Sequence, residues 1–179
     1  MMHCWKSCSV NRKYHFFRLF TISSLIALLV FLFIYVVIQT TTSGQLKDNH
    51  AITFFIIFIL LYPLHKFCHL LPLKSAFAHI NMKIEWYFYI LPIIQLKVYT
   101  PVSKTQYSLA LVFPFIIINA LLITILFLFP SYRHYIAILL SYHIGLCTPD
   151  LKFIKTLLSS PSGAFVEENE NGYEILINK

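Results

Sequence analysis

Charge is scarce in this chain: only 12% of its 179 residues are Asp, Glu, Lys or Arg, against 58% hydrophobic ones. That balance excludes an ordinary soluble domain, and a mean hydropathy of +0.72 points to a membrane. Acidic residues are scarcer still, seven in all. Glu167, Glu168, Glu170 and Glu174 fall in the tail, which leaves Asp150 as the sole carboxylate in or bordering an apolar span. Cysteine is too sparse and scattered for a disulfide framework: Cys4 and Cys8 lie at the N-terminus, Cys68 and Cys147 in apolar segments. Reduced thiols are expected. His3, Cys4 and Cys8 lack the second half of a zinc finger. The net charge of +7 does not form a nucleic-acid patch, because the basic residues flank apolar runs. They read as topology signals, and no nucleic-acid partner is expected.

What is present is a series of long apolar runs. Leu19 to Gln39 follows Lys6, Arg12, Lys13 and Arg18. At the helical rise it reaches about 31 Å, enough to span a bilayer. Its apolar core is too long for a cleavable signal peptide, and Thr40-Thr41-Thr42-Ser43-Gly44 is a weak cleavage site, so a retained anchor is expected. The second run, 51–73, contains Pro63 and Pro72; Pro63 is expected to bend the span and Pro72 to end it. A third run covers 107–129, and a four-residue turn leads into a fourth over 134–149, so these two are antiparallel neighbours. Asn119, within the third, suits a hydrogen bond between helices.

Between the second and third runs, Met82, Ile84, Trp86, Phe88 and Ile90 alternate with Lys83, Glu85, Tyr87 and Tyr89, and a second alternation covers Ile94 to Tyr99. Period two with Pro92 at the break predicts an interfacial β-hairpin over 81–100. In the tail, Asn169-Glu170-Asn171-Gly172 predicts a second, small hairpin. The expected fold is therefore an all-α membrane bundle of four transmembrane helices over 19–158, with an N-terminal segment 1–18 and a tail 159–179. Lys and Arg number eleven in the N-terminus, hairpin region and tail, against Lys47 and Arg133 in the two other loops. That bias predicts a multi-pass protein of the cell membrane with both termini cytoplasmic.

One stretch carries chemistry. His65 and His69, in Tyr62-Pro63-Leu64-His65-Lys66-Phe67-Cys68-His69, share one helical face at the spacing of a metal pincer. With both ends inside, His65 lies about 21 Å into its span and Asp150 about 24 Å into its own. The three side chains can share one level. An intramembrane acid is a functional-site candidate, and two histidines with one carboxylate form a catalytic zinc set with an open position. His143, Cys147 and Asp150 follow at steps of four and three on one face, so His143 and Cys147 are candidate outer partners of the site. Buried packing is the simpler reading of Cys68 and Cys147.

This order of elements, with His65-x-x-x-His69-x-x-Pro72 and Asp150, resembles small bacterial integral-membrane proteins grouped as zincin peptidases, and more distantly the site-two-type intramembrane metalloproteases. The resemblance covers nearly the whole chain and implies zinc, held by His65, His69 and Asp150. The sequence departs from the peptidase motif H-E-x-x-H at one place: Lys66 stands where a glutamate acts as general base. A charged lysine cannot take that proton, and beside zinc it would repel the metal unless it snorkels to the interface; the alternative bases are a neutral Lys66, its pKa lowered by desolvation and the ion, and Glu85 delivered from the hairpin. Three readings stay open. They are a degenerate scaffold that binds metal and membrane peptides with weak or no proteolysis, a competent intramembrane protease using another base, and a metal-free structural or partner-binding protein. The lipid bilayer is the expected surrounding in each.

Overall fold

A computed structural model of the chain describes residues 2–9, 12–41, 45–73, 80–87, 91–98, 100–169 and 172–178. The order is β1 (Met2–Ser9), α1 (Arg12–Thr41), α2 (Ala51–Leu70), β2 (Ile80–Tyr87), β3 (Leu91–Val98), β4 (Val102–Ser103) and α3 (Lys104–Leu128). A 3-10 turn (Pro130–Tyr132), α4 (Arg133–Leu146), α5 (Thr148–Leu158), β5 (Phe165–Asn169) and β6 (Gly172–Asn178) complete it.

Among the described residues, three helices are long and apolar enough to cross a membrane: Phe17–Thr40 within α1, then α2 and α3. Their outer faces stay uncovered by protein, with Ile52 and Phe127 each 79% exposed and Phe33 71% exposed. Such surface belongs against lipid rather than water. The expected fourth span is shorter than its hydropathy suggested. α4 has 14 residues, or about 21 Å, against a hydrocarbon thickness of about 30 Å. It ends at Leu146 because Pro149, which lacks an N–H, fits the first turn of a new helix better than a helix interior. Even so the chain returns to its starting level. The Lys104 backbone N–H, at the start of α3, donates to the Ala164 carbonyl at 2.9 Å, and Lys104 Nζ donates to the Ser160 carbonyl at 2.6 Å.

The all-α expectation also needs correction, since the tail hairpin is half of a four-stranded antiparallel sheet in the order β1-β6-β5-β4. β1 runs from Met2 opposite Asn178 to Ser9 opposite Gly172. β4 pairs Val102 with Val166. The central hairpin falls where the alternation placed it, but Pro92 lies inside β3 opposite Trp86 rather than at the break. The connecting residues 88–90 and 170–171 lie outside the described residues.

Sequence signals explain how the sheet meets the bundle. Ser103-Lys104-Thr105-Gln106 has the spacing of a capping box, and the Ser103 hydroxyl accepts the Gln106 N–H at 3.3 Å. Gln106 Nε2 donates to the Pro72 carbonyl at 3.1 Å, which fastens the start of α3 to the end of α2. Around this junction Val102, Leu111, Leu157, Val166 and Ile175 form one apolar core. A second, of Leu61, Ile118, Leu122, Leu139 and Leu140, lies among α2, α3 and α4. The Tyr107 hydroxyl donates to Glu168 and ties sheet to helix.

Candidate metal centre

Leu61, His65, Cys68 and His69 are buried on α2, while no residue from Ala51 to Leu60 is. The inward stripe thus occupies only the C-terminal half of the helix, and it carries both histidines. Their rings stand perpendicular, centroids 4.8 Å apart. Asp150 enters from the first turn of α5, where free backbone N–H groups favour a negative charge.

Three atoms converge there. His65 Nε2 lies 3.1 Å from Asp150 Oδ2, His69 Nε2 lies 3.4 Å from the same oxygen, and the two Nε2 atoms are 3.2 Å apart. Ligands held about 2.0–2.1 Å from zinc in a tetrahedron stand about 3.3–3.4 Å from one another. The donor set therefore fits zinc in both chemistry and spacing, and three ligands leave the fourth corner of a tetrahedron to a water or substrate.

Behind these atoms lies an outer layer. His69 Nδ1 is 2.8 Å from the Ala110 carbonyl. His65 Nδ1 is 3.2 Å from His143 Nε2, and His143 Nδ1 is 2.8 Å from Asn119 Oδ1. The predicted interhelical contact of Asn119 is thus made to His143. Cys147 Sγ lies 3.8 Å from His65 Nδ1 and 3.7 Å from His143 Nε2. A second set, His65, His143 and Cys147, therefore has metal-like spacing on the other side of the His65 ring. Cys68 and Cys147 are both buried. The Ala110 carbonyl is the member that side-chain reading missed.

Lys66 is half-buried and lies about 100° around the helix from His65. Glu85 sits in β2 opposite Ile93, and its side chain lies outside the described residues.

A family model described as "Putative zincin peptidase" matches residues 58–165, well over half of the chain. The chain belongs to that family. The match begins seven residues before His65 and ends at the first residue of β5, so it takes in His65, His69, Asn119, His143, Cys147 and Asp150 while leaving β1 and α1 outside. No curated protein and no solved structure matches the chain.

Proposed function

We propose that this zincin-family protein is a multi-pass membrane protein that binds zinc through His65, His69 and Asp150, and that Lys66 leaves it with weak or no proteolysis. The observation that supports the metal best is the near-tetrahedral spacing of the three ligand atoms at 3.1, 3.2 and 3.4 Å. Zinc held there would supply Lewis-acid polarisation of a carbonyl and acidify water. The chain's own residues bind and orient that centre. They offer no general base at the position after His65, so the site suits capture of a membrane peptide better than its hydrolysis. The uneven distribution of Lys and Arg supports an orientation with both termini cytoplasmic.

The test is zinc content of the purified, detergent-solubilised protein. Near-stoichiometric zinc that disappears in His65→Ala is expected, and parent protein without zinc overturns the reading. Degeneracy is tested by Lys66→Glu on single-span model substrates. Restoring a general base should raise cleavage by roughly 10²–10⁴-fold. Efficient cleavage by the parent would show that another group already serves as base.

A further inference from the structure

The outer layer contains two acceptors that can hold the histidine protons in place. Residue 114, inside α3, is proline, so the helix has no N–H to offer the carbonyl four residues earlier. That carbonyl belongs to Ala110, and His69 Nδ1 approaches it at 2.8 Å. A carbonyl only accepts, so Nδ1 carries the proton and Nε2 of His69 is left with a bare lone pair. On the other side, Asn119 Oδ1 also only accepts, so His143 Nδ1 at 2.8 Å donates to it. His143 Nε2 is then an acceptor, and His65 Nδ1 at 3.2 Å donates to it. The Nε2 of His65 is left bare as well.

We infer that Asn119, His143 and the Ala110 carbonyl released by Pro114 are positioning groups that fix the tautomers of His65 and His69, so that both present Nε2 to an ion beside Asp150. This rests on the zinc reading above. Partners on the second ring nitrogen are what orient metal-bound histidines and raise their basicity. Here they come from α3 and α4, neither of which contributes a ligand of that set. The competing set of His65, His143 and Cys147 would need the opposite tautomer of His65, with Nδ1 bare. It would also leave unused the anchor on His69 and the Asp150 carboxylate.

The test uses Co²⁺ alone as probe, titrated into the full-length protein in detergent. Parent protein should show visible ligand-field bands without a thiolate charge-transfer band. His143→Phe and Asn119→Leu, which remove the hydrogen-bonding atoms and leave an apolar side chain, should each raise the Co²⁺ dissociation constant by about 10–100-fold. Asn119→Asp retains the accepting oxygen and should bind as the parent does, an outcome that a purely structural role would not produce. Pro114→Ala restores an N–H that competes for the Ala110 carbonyl; it should weaken Co²⁺ binding while repairing the helix, so its effect cannot be blamed on misfolding. Parent-like affinity in His143→Phe, Asn119→Leu and Pro114→Ala overturns the inference and leaves the zinc reading standing. A thiolate band abolished by Cys147→Ser also overturns it, by placing the ion on His65 Nδ1. Failure of the parent to bind Co²⁺ at all removes both.

Discussion

Among the described residues two aspartates lie against histidine, Asp150 among the helices beside the sheet and Asp48 in the loop before α2, and their shortest separations are nearly the same. His65 Nε2 to Asp150 Oδ2 is 3.1 Å, with the Asp150 side chain 14% exposed. His134 Nε2 to Asp48 Oδ1 is 2.9 Å, but the Asp48 side chain is 79% exposed, and His134 Nε2 makes no hydrogen bond among the described residues. Distance alone therefore does not make a site. At the inner pair, α2 supplies a second histidine, α5 the carboxylate, and α3 and α4 the partners of the outer ring nitrogens. At the outer pair no further metal-binding side chain converges among the described residues. A solvated pair gains little from attraction that water already screens.

The largest expected effect comes from changing the same atom type at both ends. Asp150→Asn removes a charged ligand oxygen, and zinc affinity should fall by more than the roughly 10–100-fold that loss of an outer partner costs. Asp48→Asn should leave zinc affinity at the parental value. Isothermal titration of the two variants reads both outcomes, and equal losses would erase the distinction between the two pairs.

Much of the inner end was legible from the sequence because helices make spacing into geometry: His65 and His69 had to share a face, and Asp150 stood out as the lone carboxylate near a span. The convergence of these three follows from the return of the chain through α4 and α5, which the tight turn after Phe129 already implied. The sheet was only half legible. Asn171-Gly172 announced a hairpin, and β5 does pair antiparallel with β6, but β1 finds its partner from Met2 to Asn178, a pairing that no local pattern announces. The start of α1 at Arg12 rather than Leu19 has a related cause. Hydropathy marks where a helix can meet lipid, whereas helical hydrogen bonding continues through Arg12, Lys13 and Arg18. The Ala110 carbonyl did have a signal, Pro114 four residues later, but it becomes meaningful only once His69 is known to face it.

An intermediate effect should appear where α1 packs on α4, close to the inner pair. A Cβ added at Gly145 would stand 2.8 Å from Ala27 Cβ and 2.9 Å from the Ser23 carbonyl oxygen. Alanine is the better helix former by about 1 kcal/mol, yet backbone oxygen cannot swing aside, and overpacking of this kind costs about 1–3 kcal/mol. Gly145→Ala should therefore lower the thermal unfolding midpoint in detergent. Because Gly145 lies two residues from His143 and from Cys147, it should also loosen zinc. A raised midpoint with unchanged zinc affinity would mean that the inner end does not depend on how closely α1 approaches.

The smallest effect belongs to the outer pair itself. Asn49 Oδ1 accepts the Tyr132 hydroxyl at 3.0 Å, the Lys47 N–H donates to the Ser131 carbonyl at 3.1 Å, and the His50 and Tyr132 rings meet edge to face at 5.2 Å. These contacts already hold the loop before α2 against the start of α4, so the exposed Asp48 carboxylate, which also meets the Tyr135 hydroxyl, adds a solvated contact. Asp48→Asn should change stability by less than about 1 kcal/mol, and any effect should shrink as salt is raised. Tyr132→Phe, which removes the hydroxyl but keeps the ring, is the matched comparison. Should Asp48→Asn prove the more damaging of the two, at high salt as well as low, the outer pair would be structural in its own right, and burial would not be what separates it from the pair at Asp150.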